Sequence, residues 1–171
     1  MLSGTITSFT VVLIVIFLFS EGLGVFNKKP IADGYVLSVN KANTVEKLSP
    51  HQIKDIFDQK ITNWKQLGGK NEKIVLFKVD DITDFYSEKE IGKDFANLPF
   101  CINDFVTKNK GVIAFFSDEY LPKKFAGKNI DVDKIKVTEF LSEEEWFPTA
   151  EPVAQMGVKP LILGTLWVSL G

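Results

Sequence analysis

Residues 48–69, LSPHQIKDIFDQKITNWKQLGG, carry a helix start, an apolar stripe and a stop signal in one short stretch, and they constrain the neighbouring chain more than any other feature. Ser49 stands at the N-cap position, Pro50 at the first helical position and Gln52 three residues after the cap. A serine oxygen there accepts from a first-turn amide, a glutamine returns the bond, and proline has no N–H to leave orphaned. Ile53, Ile56 and Phe57 fall on one face, with Lys54, Asp55 and Asp58 on the other, the pattern of a helix lying on a core. Asn63 is placed to cap a second short turn carrying Trp64 and Leu67, and Gly68-Gly69 supplies the positive-φ residue that ends it.

Strand patterns surround that stretch. Asp33-Gly34 turns into YVLSV at 35–39, whose β-branched and aromatic residues are bounded by turn formers. Further strands are expected at 73–77 (KIVLF), at 112–116 (VIAFF, apolar enough to be buried on both faces) and at 134–137 as an edge. Helices are expected at 88–98 and 101–108, the second with Ile102, Phe105 and Val106 on one face and ended by Gly111. Strands that alternate with helices predict a small α/β lobe.

Charge is distributed unevenly along the chain. It is crowded between Asn27 and Trp146, whereas residues 1–20 and the last dozen residues after Lys159 have no charged side chain. A net charge of -2 argues against a nucleic-acid partner, which requires a basic face to release counterions from phosphates. All twenty basic residues are Lys, so any anion site must use amides, hydroxyls and ammonium groups without the guanidinium fork. Cys101 is the single cysteine; it allows no internal disulfide and is expected to be a small buried apolar residue.

The two apolar ends predict membrane segments. Residues 2–19 include FTVVLIVIFLF, and with its start the run reaches about 20 residues, or about 30 Å as helix, which spans a bilayer. A signal peptide is the competing reading, but the basic n-region is missing. Lys28 and Lys29 follow this helix and would hold the next segment in the cytoplasm, yet charge bias governs only loops shorter than about 60 residues. After Pro160 eleven further apolar or small residues follow, read as the start of a second membrane helix cut short. Between them, Glu143 to Pro148 (EEEWFP) pairs acids with two aromatics, a place for the chain to meet the membrane surface again.

The run ADGYVLSVNKANTVEKLSPHQIKDIFDQKITNWKQLGG, residues 32–69, resembles the second lobe of periplasmic phosphate-binding proteins of the PstS type. The matching features are an Asp-Gly, a strand ending in Val-Asn, a capped helix ending in Ile-Phe, and Lys-Ile-Thr-Asn-Trp-Lys before Gly-Gly. Residues 157–171, GVKPLILGTLWVSLG, are similar to the opening of the membrane core in PstC-type permeases of phosphate ABC transporters. Together these resemblances imply a single lobe of a type 2 periplasmic-binding-protein-like fold at 27–147. A transmembrane helix and flank at 1–26 precede it, and a linker with the start of the permease core at 148–171 follows. They place the lobe outside the cytoplasm and the chain in a bacterial inner membrane, passing through it several times in the full-length protein.

The resemblance also directs attention to the chain after the strand at 73–77. In PstS-type proteins an Arg and then a Ser-Gly-Thr segment at a helix start grip the anion there; here Lys78-Val79-Asp80-Asp81-Ile82-Thr83-Asp84 follows. Lys78 stands in for the Arg, Thr83 for the surviving hydroxyl, and Asp81 lies between them. Three carboxylates beside one ammonium oppose a dianion, at about 1 kcal/mol per charge pair at 4 Å even in water. Moreover, the first lobe that would complete a cleft has no room before Asn27. The site therefore reads as a degenerate anion site. The resemblance implies partners: a second permease subunit, an ATP-binding subunit, a soluble phosphate-binding protein and membrane lipid. The expected function is the permease component of a phosphate importer whose lobe docks or regulates; the alternative is a membrane-anchored binding or sensor module. A lobe that pairs with a second copy to rebuild a cleft is a third reading.

No enzyme, cofactor or metal site is expected. The chain has no Gly-x-Ser-x-Gly elbow and no P-loop. Asp80, Asp81 and Asp84 do not have EF-hand spacing and read as acids favouring a helix start. His51, the one histidine, has no cysteine or second histidine to share a zinc ion and reads as a solvated surface residue.

Overall fold

The computed structural model describes Leu13, Phe17, Phe26 and residues 29–170. The membrane helix expected at 2–19 lies outside the described residues apart from Leu13 and Phe17.

Strand β1 (Tyr35–Asn40) is central and leads to the two-residue strand β2 (Lys47–Leu48). Helix α1 (Pro50–Phe57) follows with the capping box intact: Ser49 Oγ accepts from the Gln52 amide at 3.2 Å, and Gln52 Oε1 from the Ser49 amide at 2.9 Å. Asn63 caps the 3-10 turn Trp64–Leu67 in the same reciprocal way, and Gly68 closes it at φ 78°. Strand β3 (Val75–Lys78) leads into a second 3-10 turn, Val79–Asp84. The strand is displaced from the expected 73–77 because Lys73 is held in a bridge to Asn63.

The helix expected at 88–98 is broken. A single turn, α2 (Glu88–Ile91), stops at Gly92 with φ 80°, and Asp94 and Phe95 also take positive φ, which no helix accommodates. Helix α3 (Leu98–Lys108) restarts with a proline in its first turn, earlier than expected. Strand β4 (Val112–Ser117) and the short strands β5 (Gly127–Asn129) and β6 (Asp131–Val132) come next. The edge strand expected at 134–137 is absent; helix α4 (Val137–Ser142) begins there instead, and the hairpin β7 (Trp146–Phe147) with β8 (Gln155–Met156) follows. Helix α5 (Lys159–Leu170) ends the described chain.

The main sheet has the order β3-β4-β1-β5, with β3 parallel to β4 and the other pairs antiparallel. Strand β4 is buried on both faces, as its unbroken apolar run demands. Ile113 and Phe115 join Leu37, Val39, Ile53, Ile56 and Trp64 on one side. Val112, Ala114 and Phe116 join Phe77, Ile102, Phe105, Val106 and Cys101 on the other. The sheet is thus covered by α1 and the Trp64 turn on one face and by α3 on the opposite face, an α/β lobe with two cores. Full burial of Ile53 and Ile56 alone stabilises the packing of α1 by about 3–6 kcal/mol before ordering costs.

Among the described residues no helix is long and apolar enough to cross a membrane. Helix α5, at twelve residues, is about 18 Å long.

Candidate functional site

In an open α/β sheet, ligands gather at the carboxyl ends of parallel strands. Here that edge is formed by the ends of β3 and β4, with Lys78 beside Phe115 in register, and by the start of antiparallel β1, where Tyr35 pairs with Ser117. The Tyr35 ring stacks on Phe115 with centroids 5.0 Å apart and planes 15° apart. The edge thus carries a stacked aromatic pair.

Lys78 does not face solvent as a free cation. Its Nζ lies 5.4 Å from the centre of the Phe57 ring, at the end of α1, where the ring quadrupole favours the charge. Beyond it the 3-10 turn runs Val79–Asp84 with Asp80 and Asp81 in its first turn and Ile82 as its one buried side chain. Asp81 and Thr83 point out, both exposed. The structure therefore brings Lys78, Asp81 and Thr83 onto one short segment but not around a common point. No ion pair joins Lys78 to an acid among the described residues. Three exposed carboxylates, those of Asp80, Asp81 and Asp84, give this edge an excess of negative charge.

Two further residues found different surroundings from one another. Cys101 is 1% exposed, and burial raises its thiol above the ordinary value, so it is an inert core residue as expected. His51 is an exposed surface residue, as expected, with carboxylates beside both ring nitrogens. Its Nε2 lies 3.2 Å from Asp55 and its Nδ1 3.2 Å from Glu143. No group of three or more His, Cys, Asp or Glu side chains able to hold a metal ion occurs among the described residues.

The part played by Phe57 and Tyr35 was not readable from the sequence. The placement of Tyr35 depends on the register of β1 with the distant strand β4, and that of Phe57 on how the end of α1 packs beside the end of β3. Asn40 was also missed. Its Nδ2 donates to the carbonyls of Val106 at 2.7 Å and Thr107 at 3.2 Å, and its Oδ1 accepts from the Ala42 amide. The asparagine of the Val-Asn pair is thus a framework residue that satisfies the end of α3.

Comparison with known proteins gives three likenesses. A family model described as a PBP superfamily domain matches residues 19–83. Over 48 residues the chain is 44% identical to the phosphate-binding protein PstS of Bacillus subtilis (strain 168), covering 28% of this chain and 16% of that protein. Among solved structures, an ABC-type phosphate transport receptor from Vibrio cholerae is 27% identical, with TM-score 0.45, over 64% of this chain and 50% of that one. A protein described as a phosphate ABC transporter substrate-binding protein, solved with bound phosphate from Clostridium perfringens, is 28% identical with TM-score 0.44 over 66% and 50%. The chain therefore spans no more than about half the length of these relatives. The lobe is an α/β unit of PBP-like fold. Its relatives are phosphate-binding transport proteins, not enzymes.

Proposed function

We propose that this chain is a membrane-anchored component of a phosphate ABC importer, whose PBP-like lobe stands outside the cytoplasmic membrane and presents a recognition surface without closing on phosphate itself. The observation that carries this reading is the edge at β3: Lys78, which the resemblance sets in the place of an anion-binding arginine, lies 5.4 Å from the centre of the Phe57 ring, and the turn after it exposes three aspartates. A dianion brought to that edge meets like charge.

Membrane attachment is supported by α5. Leu161, Ile162, Leu163, Leu166, Trp167 and Val168 are all exposed around its circumference, so the helix has no polar face to turn to water. Its two hydroxyls bond back within the helix, Thr165 Oγ1 to the Leu161 carbonyl at 2.7 Å and Ser169 Oγ to the Thr165 carbonyl at 2.8 Å. That self-satisfaction suits an apolar solvent. With the apolar run at 2–19 and the likeness of residues 157–171 to a permease opening, α5 is the beginning of a transport core in a multi-pass inner-membrane subunit. The partners of that subunit are a second permease subunit, an ATP-binding subunit and a soluble phosphate-binding protein, which the lobe receives.

A second reading, a receptor lobe whose cleft is completed by another lobe, is favoured by the 44% identity to a phosphate-binding protein. Purification of the chain from its own membranes separates transport from anchoring. Co-recovery of an ATP-binding subunit and a second permease subunit is expected; recovery of the chain with neither would overturn the transporter assignment.

A further inference from the structure

Phe26 and the segment just before α5 meet at one residue, Phe140 of α4. The Phe26 ring, which follows the N-terminal apolar run, meets Phe140 edge-on with centroids 5.0 Å apart, and the Trp146 ring of β7 does the same at 6.4 Å. The Phe140 carbonyl accepts from the Val158 amide at 2.9 Å, immediately before α5, and the Glu145 carbonyl accepts from the Gly157 amide at 2.8 Å. Around this hub Val137, Leu141, Trp146 and Phe147 are between 40% and 58% exposed. Such a patch is unfavourable against water, but aromatic rings are favoured at the boundary between headgroups and acyl chains.

The three consecutive glutamates beside the patch are each held by a base from a different place. Glu143 lies 3.2 Å from His51 Nδ1, Glu144 pairs with Lys159 at the start of α5, and Glu145 lies 3.5 Å from Lys54 Nζ. The acids are thereby tied to α1 and α5 next to the aromatic surface.

We propose that α4 and β7 form an aromatic collar that lies in the headgroup–acyl boundary of a bilayer and seats the lobe on the lipid beside the start of α5. The inference rests on the membrane reading above and goes beyond it, since an anchored lobe on a linker needs no lipid contact of its own. Lipid is favoured over a protein occupant because the patch adjoins the start of α5, whose large side chains are exposed and apolar and whose two hydroxyls bond back to its own carbonyls.

Tryptophan quenching in the full chain tests it, with the protein reconstituted in phosphatidylcholine–phosphatidylglycerol vesicles that carry a nitroxide at a shallow or a deep acyl position. The chain has three tryptophans. Trp167→Phe leaves Trp146 over the buried Trp64 background, Trp146→Phe leaves Trp167, and the double variant leaves the background alone. Trp146 is expected to be quenched at least twofold more by the shallow label than by the deep one, Trp167 by the deep label, and Trp64 by neither. Quenching of Trp167 with none of Trp146 would overturn the collar and leave the membrane reading standing, whether a protein covers the patch or nothing does. Absence of quenching at Trp167 would overturn the membrane reading itself. A nitroxide on Phe147→Cys, with Cys101 buried and unreactive, gives an independent reading. Relaxation by oxygen in preference to a water-soluble nickel chelate is expected, and the reverse order contradicts the collar.

Discussion

Asn40 closes β1 with its amide turned onto the last carbonyls of α3, and Trp64 donates Nε1–H to the Gly111 carbonyl at 2.8 Å across the same core. The Asn40 bonds satisfy buried carbonyls that a shorter side chain would leave unpaired, whereas the Gly111 carbonyl also accepts from the Val75 amide, so Asn40→Ala is expected to lower stability by about 1–3 kcal/mol and Trp64→Phe by about 1 kcal/mol. Denaturant midpoints of the chain in detergent measure this, and an unchanged midpoint for either variant would remove the role assigned to that residue. Gly111 acts through space alone: a Cβ there would collide with the Lys73 carbonyl oxygen, which passes beside it at the start of β3. Gly111→Ala is expected to cost about 1–3 kcal/mol from overpacking and to loosen the β3–β4 pair, visible as faster exchange of the Val75 amide that bonds to Gly111. Sequence pattern placed Trp64 on a short capped turn and read Gly111 as a stop, but identified neither partner, because both contacts join segments distant along the chain.

Elements were legible where local chemistry and packing agree, and illegible where they conflict. The reciprocal caps of α1 and the Trp64–Leu67 turn are local, and both formed as expected. In residues 88–98 the signals for a break, Gly92 and the proline that starts α3, were present but outweighed by the apolar periodicity. The Lys134–Val137 stretch alternates like a strand, yet packing of Phe140 against Phe26 and Trp146 draws the following residues into α4. The junction of α4 with α5 depends on charge. The Lys159 ammonium, through its hydrogen bond to Glu144, holds that carboxyl below its ordinary value of 4.5. Because the folded value is the lower one, the contribution is present above about pH 4.5 and is lost as pH falls through the folded value. The protection factor of the Val158 amide, taken against its intrinsic exchange rate at each pH, is therefore expected to fall as pH drops below 4.5, and Lys159→Met to abolish that pH dependence; an unaltered profile in the variant would contradict the assignment. Since the pair is exposed, added salt should weaken it in the same direction.

At the scale of the molecule, the α/β class, the capped helix and the doubly buried β4 followed from patterning, and the likeness at residues 32–69 pointed to a PBP-like lobe. The candidate site was only half legible. The family resemblance pointed to Lys78, Asp81 and Thr83, and the sequence to the charge around them, but neither showed that Lys78 lies against Phe57 or that Tyr35 and Phe115 occupy the strand edge. The central claim is that this edge has lost phosphate recognition while the framework has persisted. Isothermal titration of the full chain in detergent with inorganic phosphate, at low ionic strength and neutral pH, tests it most directly. No saturable heat is expected up to millimolar phosphate, whereas micromolar binding abolished by Lys78→Ala would contradict the account.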